Sequence, residues 1–313
     1  MTNKSKSTAA KASMQSAADA EIQTALQSQT PFRAFWSAFC ENRGALVGLS
    51  ILAIIILAAI FADFIAPHSL SEQYRDSVRA QPVFAGGSWK FILGTDGVGR
   101  DTLSRLIYGA RTSLFIALAV VVVSMFFGIA LGLLAASTSV AVDVVISRVI
   151  ESLMAFPSLV LAVLLVAVLG PGLFSTIIAV SIGYLPTYVR LMRACAKTEL
   201  SKDYVTAAKV MGVGKFRLMV RTILPNCMAP LIVQAALGTS GALLEAAALG
   251  FLGFGVQPPT PEWGAMLADA REFIRSDPWI VTLPGLAILI TVIAINLAGD
   301  GLRDALDPKL RRS

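Results

Sequence analysis

Charged and metal-binding side chains are scarce in this sequence. Asp, Glu, Lys and Arg make up 15% of its 313 residues, hydrophobic residues make up 56%, and there is 1 histidine. A soluble globular chain carries more charge and less apolar surface. His68 alone cannot form a two-histidine zinc motif or a supported Cys/His or Ser/His pair, so we expect it to be an ordinary loop residue. The composition points to lipid as the main solvent.

Cysteine motifs and nucleotide-binding motifs are also missing. Three cysteines are present without a CxxC pair and are predicted to be reduced bystanders near the cytoplasm: Cys40, Cys195 and Cys227. A phosphate-binding loop needs Gly-x4-Gly-Lys-Ser/Thr, whereas the stretch 94–101 places Arg100 and Asp101 where Lys and Ser/Thr belong. Any ATP hydrolysis must therefore be done by a partner.

Long apolar runs are what the sequence has in abundance. A bilayer core about 30 Å thick needs roughly 20 apolar residues of helix. Hydropathy predicts six spans, at about 44–66, 112–136, 152–169, 173–190, 228–249 and 279–298. The first run begins too late and is too long for a cleaved signal peptide. We predict an all-α polytopic membrane protein with six transmembrane helices and no sizeable soluble domain.

The positions of basic residues predict the orientation of the spans. Most Lys and Arg fall in segments that are cytoplasmic if both termini lie inside, although the 67–111 loop carries 6 on the predicted outside. The predicted units are a disordered cytoplasmic tail at 1–31, an interfacial helix and first span at 32–66, an external loop at 67–111, the transmembrane domain at 112–302 with a cytoplasmic loop at 197–225, and a cytoplasmic tail at 303–313.

The segment before the first span has aromatic residues at helical spacing. They lie opposite Arg33 and are Phe32, Phe35, Trp36 and Phe39. This pattern suits a short helix lying flat in the headgroup layer; a cytosolic extension of the first span is the alternative. Within the spans, the Gly44/Gly48 and Gly128/Gly132 pairs predict close helix packing.

One carboxylate, Glu245, falls deep inside a predicted span, where an ionised side chain costs about 2.5–3.5 kcal/mol. Two interpretations stay open: Glu245 lines the translocation path or a gate, or it pairs within the bundle for structure. Its near isolation disfavours an ion-coupled carrier, which usually has several ionisable groups in its spans. Asp143, Arg148 and Glu151 are interpreted as anchors, with Arg148 able to meet Glu151.

The loop between the fourth and fifth spans carries the strongest local pattern, TELSKDYVTAAKVMGVGKFRLMVRTILP at 198–225. Ser201 or Asp203 can cap a short helix that Gly212 ends. The small and apolar surface of that helix consists of Val205, Ala207, Ala208, Val210 and Met211.

A second short helix with a basic face is predicted between Gly214 and Pro225. A two-helix hairpin with an Ala-lined surface suits the docking of another protein, held by shape more than by charge. A loop that only covers the bundle is the alternative.

At these residues the chain resembles the permease subunits of ABC importers. The loop pattern of that family is Glu-Ala-Ala-x3-Gly, with a Leu-Pro pair further along. The matching residues are Ala207, Ala208, Gly212, Leu224 and Pro225. Thr206 stands where the family usually has Glu, which puts in doubt any salt bridge made there.

Three further stretches resemble the C-type permeases for dipeptides, oligopeptides and, in some members, nickel. They are GTDGVGRDTLSRLIYGARTSL from Gly94, LGFLGFGVQPPTPEWGAML from Leu249 and NLAGDGLRDALDP from Asn296. The resemblance covers about 35–308 and implies the type I ABC importer permease (MetI-like) fold.

The resemblance also implies a complex in the bacterial inner membrane. Two homologous permeases would form the pore, two ATPase subunits using ATP and Mg²⁺ would dock beneath it, and a binding protein would deliver substrate from outside. This chain would hold no cofactor or metal, bind no nucleic acid and catalyse nothing. Trp263 and the 67–111 loop would face the binding protein or roof the cavity. The implied ATPase-coupling residues are Tyr204, Val205, Thr206, Ala207, Ala208, Met211, Gly212, Leu224 and Pro225.

The resemblance implies transport of dipeptides or oligopeptides by alternating access, driven by the partner ATPases. A permease for nickel or another small solute is the alternative within the family. A secondary transporter or channel acting without ATPases is the alternative class. A membrane enzyme is disfavoured because no nucleophile and base are brought together.

Overall fold

The computed structural model describes residues 31–306, in which all regular elements are helical. The helices are α1 (Pro31–Glu41), α2 (Arg43–Ile60), α3 (Ala62–Ile65), α4 (Thr102–Ser137), α5 (Val140–Met154), α6 (Ser158–Leu169), α7 (Leu173–Leu200), α8 (Asp203–Val210), α9 (Lys215–Arg217), α10 (Leu224–Phe251), α11 (Trp263–Ala270) and α12 (Pro278–Leu306). The predicted all-α class is confirmed. The predicted tails at 1–31 and 303–313 lie outside the described residues, except for Pro31 and 303–306.

Five helices of the described chain are long and apolar enough to cross a membrane: α2, α4, α7, α10 with the turns before it, and α12. Helices α5 and α6 supply a sixth crossing only as a pair bent by 92°. The predicted span at 152–169 is therefore not one continuous helix, because its residues are divided between α5 and α6. Helix α5 ends at Met154 because Pro157 fixes its own φ, removes an N–H donor and disfavours helix in the residue before it.

The boundaries of the first two spans also differ from the prediction. Helix α4 begins at Thr102 rather than near 112, because the Asp101 carboxylate accepts hydrogen bonds from the Ser104 amide (2.8 Å) and hydroxyl (2.6 Å) and caps the helix. Helix α2 ends at Ile60 rather than near 66. The Arg111 guanidinium donates to the Ile60 carbonyl (3.0 Å) at that end.

Glycines bring the spans into backbone contact. A Cβ at Gly128 would lie 2.3 Å from Cβ of Tyr188, and one at Gly132 would lie 2.7 Å from Cβ of Met192, so α4 can pack against α7 only with glycine at both positions. A Cβ at Gly48 would likewise lie 2.7 Å from a backbone carbonyl of α12. The predicted packing role is confirmed for Gly48, Gly128 and Gly132, whereas a Cβ at Gly44 would lie 3.5 Å from Leu297, an ordinary contact distance.

The bundle has two ends that differ in structure. The cap end carries residues 66–101 and 252–277, including α11, and the hairpin end carries α8 and α9. The predicted helix α1 forms at the hairpin end, where Phe39 packs against Ala45 and Ala305. The side chain of Phe32 lies outside the described set, and the placement of α1 in the headgroup layer stays a prediction.

Candidate functional site

The hairpin predicted as a docking element begins with α8. As expected, Gly212, just past the end of this helix, terminates it. Gly212 has φ +81°, a conformation that favours glycine. Its N–H donates to the Lys209 carbonyl (3.0 Å), and the Val213 N–H donates to the Ala208 carbonyl (3.1 Å). These two bonds form a Schellman motif, which terminates the helix and turns the chain toward α9.

The predicted cap at the start of α8 is wrong. Lys202 occupies the N-cap position and makes no side-chain cap bond. The Ser201 hydroxyl donates instead to the Thr198 carbonyl (2.8 Å) in the preceding turn. Asp203 stands one position inside the helix, where its charge favours the helix N-terminus without capping it.

The predicted second short helix is also wrong, because α9 continues into the membrane. A π-helical turn at Leu218–Ile223 joins α9 to α10, and together they form a helix of 37 residues from Lys215 to Phe251. Leu224 donates its N–H to the Met219 carbonyl across that wide turn. Leu224 and Pro225 therefore lie within one continuous helix, next to a wide turn that tolerates the missing proline N–H.

The hairpin side chains divide into an anchor and an exposed set. Val205 is fully buried and belongs to the main hydrophobic core. Val210 is 84% exposed, Met211 77% and Phe216 82%, and Ala207 lies exposed beside them on the hairpin. We call Ala207, Val210, Met211 and Phe216 the docking face. Val205 was predicted in this surface but instead holds α8 against the bundle.

Phe216 is the docking-face residue that the sequence pattern did not reveal. It stands between Lys215 and Arg217 in the short helix α9 and is exposed rather than packed against the bundle. The sequence signal that could have identified Phe216 is a large aromatic side chain between two basic residues. Arg217 and Arg221 are also exposed, so basic side chains of this segment reach the surface.

Two further predicted coupling residues, Tyr204 and Thr206, behave differently. The Tyr204 hydroxyl donates to the Glu199 carboxylate (2.5 Å), which raises the pKa of Tyr204 to about 12. Lys202 pairs with the same carboxylate at 2.6 Å, so these contacts tie the hairpin to the end of α7. Thr206 is exposed and presents a hydroxyl where a carboxylate was expected.

The predicted path residue Glu245 lies on α10, half-buried, facing two hydroxyl groups. The Ser158 hydroxyl, at the first residue of α6, lies near its carboxylate. Tyr184 of α7 interacts electrostatically with the same carboxylate. Its hydroxyl oxygen lies against Gly241, one helical turn before Glu245, and would be 2.3 Å from a Cβ at that position. Three spans therefore bring polar groups together here.

At the cap end, the glycine-rich stretch 94–101 folds around a carboxylate. Asp96 accepts hydrogen bonds from the backbone N–H groups of Val98 (3.0 Å) and Arg100 (2.9 Å), and it pairs with the guanidinium groups of Arg100 (2.6 Å) and Arg105. Burial alone would raise the pKa of Asp96, but Arg105, Arg100 and the amides hold it below its ordinary value. The amides point to a protein carboxylate and are unavailable to a phosphate.

Trp263 was expected to face a binding protein or roof the cavity. Its burial inside the cap contradicts the first of these positions, and the second stays a prediction. Its indole N–H donates to the Leu106 carbonyl (3.0 Å), and its backbone N–H donates to the Ser113 hydroxyl (3.2 Å). The neighbouring Glu262 caps α11 by accepting from the Gly264 amide (2.8 Å), and burial raises its pKa. Trp263 locks α11 onto α4, so it cannot contact a binding protein directly.

The remaining polar residues act as structural contacts. The imidazole of His68 packs beside Tyr74 and Phe91, with Nδ1 3.5 Å from Asp101. Asp143 pairs with Arg193 of α7 at 2.5 Å and so joins α5 to α7.

One simpler expectation agrees with the described chain. Arg148 meets Glu151 at 2.9 Å, as the spacing predicts. Across residues 31–306 the three cysteines are free, and no group of three His, Cys, Asp or Glu side chains could hold a metal ion.

Two family models match the chain. Residues 128–312 match the binding-protein-dependent transport system inner membrane component, and residues 30–82 match the N-terminal TM domain of oligopeptide transport permease C. The first match covers more than half of the sequence and includes both the hairpin and Glu245.

Relatives and a solved structure agree with these matches. The chain is 56% identical over 285 residues to the di/tripeptide transport system permease protein DppC of Pseudomonas aeruginosa (strain UCBPP-PA14), covering 91% of this chain and 94% of the relative. It is 52% identical over 284 residues to the dipeptide transport system permease protein DppC of Escherichia coli (strain K12), covering 90% and 95%. A chain of the inward facing MetNI methionine ABC transporter superposes with a TM-score of 0.55 at 18% identity, over 65% of this chain and 96% of that chain. That likeness concerns the fold alone and confirms the predicted MetI-like architecture.

Proposed function

The chain belongs to the inner membrane components of binding-protein-dependent transport systems and is a permease subunit of an ABC importer, and from that premise we propose that its cargo is di- and tripeptides. The support for this cargo is the 56% identity to a di/tripeptide permease along nearly the whole of both chains. Longer peptides and nickel remain the cargoes that the experiment below must separate from it.

The proposed partners are a homologous second permease, two ATPase subunits that bind ATP and Mg²⁺, and a binding protein outside the cell. The observation that carries this proposal is the docking face. Val210, Met211 and Phe216 expose most of their side-chain surface to water although they are large and apolar. Contiguous exposed apolar residues mark interaction sites in stable proteins. We therefore assign the docking face to a groove on an ATPase subunit.

The backbone of the hairpin supports a mechanical role for this contact. Helix α9 is continuous with the spanning helix α10, and Val205 anchors α8 in the core. A displacement of the docking face by ATPase closure is therefore transmitted along a helix of 37 residues that also carries Glu245. Glu245 is proposed to line the path that opens and closes, with ATP hydrolysis left to the partners.

The proposed docking also fixes the orientation. ATPase subunits act in the cytoplasm, so the hairpin end lies inside and the cap end lies outside, with both termini cytoplasmic. The exposed Lys215, Arg217 and Arg221 support this orientation, because basic residues favour the cytoplasmic side.

The test uses the complex purified from membranes through this subunit and reconstituted into proteoliposomes with its binding protein. We expect a second permease and ATPase subunits to copurify. ATP-dependent uptake should be measurable for dipeptides and tripeptides, much slower for longer peptides, and absent for Ni²⁺. Uptake of Ni²⁺ in place of peptides would overturn the proposed cargo. Transport by this chain alone, driven by an ion gradient, would replace the importer with a secondary transporter.

A further inference from the structure

Glu245 is a carboxylate inside the membrane without a basic partner. It lies six residues before α10 ends at Phe251, which places it about 9 Å from that end of the helix. Among the residues that the structure describes, none of the ion pairs involves Glu245, and the hydroxyl group near its carboxylate, that of Ser158, is neutral. A charge at this depth is costly unless it is paired or faces a water-filled cavity.

The polar groups around Glu245 are hydroxyl groups, which can all accept hydrogen bonds. Ser158 begins α6 directly after the bend that separates α5 from α6, so the bent pair brings this hydroxyl to the carboxylate. The Tyr184 hydroxyl approaches from α7, against Gly241. Hydroxyl oxygens can accept as well as donate, and a carboxylate accepts only. The site therefore presents three acceptors from three helices and no fixed positive charge.

The side chain of Glu245 is only half-buried, so one side of the site is open. Lipid tails cannot solvate a carboxylate, which leaves water or a cation for the open side. A primary ammonium group carries one positive charge and three N–H donors, which matches three acceptors and one negative charge. Every unmodified peptide carries such a group at its N-terminus.

We infer that Glu245, Ser158 and Tyr184 form a transit site that binds the N-terminal ammonium group of the peptide cargo. This inference rests on the proposed function, since it requires that peptides pass through this subunit. It adds a chemical selectivity to the permease itself, beyond that of the binding protein. The charge-assisted contact would hold the cargo at the point where α6, α7 and α10 meet.

The test compares a dipeptide with its N-acetylated form in reconstituted complexes, at concentrations of each that saturate the binding protein. The wild type should take up the free dipeptide at least about 10-fold faster, a ratio equivalent to 1.4 kcal/mol. Glu245→Gln keeps the side-chain volume but removes the charge, and it should bring that ratio close to one. Glu245→Asp retains the carboxylate and should restore part of the ratio.

A matched control lies on the same helix. Thr239 donates its hydroxyl to the Ala235 carbonyl within α10 (2.8 Å), so Thr239→Val removes a polar atom from α10 without touching the site, and its ratio should equal that of the wild type. Equal slowing of both peptides in Glu245→Gln, or an unchanged ratio, would overturn the inference and leave Glu245 a structural residue or the partner of a cation on the second permease. Absence of any peptide uptake by the wild type would instead contradict the proposed function.

Discussion

The two ends of this bundle differ in which side chains they bury and which they expose. At the cap end, the charges of Asp96 and Arg105 are buried and paired, and Trp263 is enclosed. At the hairpin end, Met211 and Phe216 are large, apolar and exposed. A buried ion pair is complete without help, whereas an exposed apolar side chain gains free energy only when another surface covers it. The charged interior of the cap is therefore complete within one chain, whereas the exposed apolar face of the hairpin gains free energy only when a partner covers it.

The largest expected effect tests whether the cap is self-sufficient. Arg105→Met leaves Asp96 buried with Arg100 as its remaining cation, and breaking a buried pair costs at most about 3–5 kcal/mol. Thermal unfolding of the purified protein in detergent should show a clear loss of stability. Arg79→Met is the matched control, because Arg79 pairs with Asp277 while its own side chain is 45% exposed, and exposed pairs contribute about 1 kcal/mol or less. Equal losses in the two variants would contradict the assigned burial.

The next largest effect tests whether the exposed apolar face of the hairpin binds a partner protein. Met211→Asp, or Ala207→Arg, places a charge in the surface that a partner must desolvate. Affinity for the ATPase subunits should fall at least about 30-fold, the size of a hot-spot loss of about 2 kcal/mol. The thermal stability of the isolated subunit should not change, because these side chains are exposed. Normal copurification of the ATPase with both variants would remove the docking assignment.

A smaller effect tests the backbone turn that ends α8, independently of the exposed side chains of the hairpin. Gly212→Ala forces a side chain into φ +81°, which costs about 1–2 kcal/mol. Gly214→Ala should be nearly neutral, since φ is −64° there and an added Cβ meets nothing within 4 Å. Hydrogen exchange of the amides at the end of α8 should be faster in the first variant only. Matching exchange rates would mean that the Schellman motif does not limit opening of the hairpin.

The smallest effect tests whether burial, rather than the presence of an ion pair, accounts for the stability that Asp96 and Arg105 give to the cap. Arg148 and Glu151 form a pair on α5 with side chains that are 78% and 59% exposed. Arg148→Gln should change the unfolding free energy by less than about 0.5 kcal/mol. A loss as large as that of Arg105→Met would break the comparison between the two ends.

The sequence allowed the apolar runs of the spans and the first helix of the hairpin to be predicted, because both depend on local pattern. Apolar runs of sufficient length give spans, and Gly212 after a short helical stretch gives the end of α8. The start of α4 was placed too late because hydropathy treats Arg105 as loop, although Asp101 caps a helix that contains it.

The bend before Ser158, the continuity of α9 with α10 and the burial of Trp263 could not be predicted from local pattern. Each depends on contacts between helices far apart in the sequence. Pro157 predicts an interruption without giving an angle of 92°. Likewise, Val205 and Val210 belong to the same apolar pattern, and only the packing of α8 decides which of them is buried.

The most direct test of the central claim is photocrosslinking from two equally exposed aromatic positions at opposite ends. A photoreactive amino acid replaces Phe216, 82% exposed on the hairpin, or Trp89, 78% exposed on the cap, in the assembled complex in membranes. We expect position 216 to crosslink to a protein that mass spectrometry identifies by its nucleotide-binding motif, and position 89 to give no such product. A crosslink to the ATPase from position 89, or none from position 216, would contradict the account.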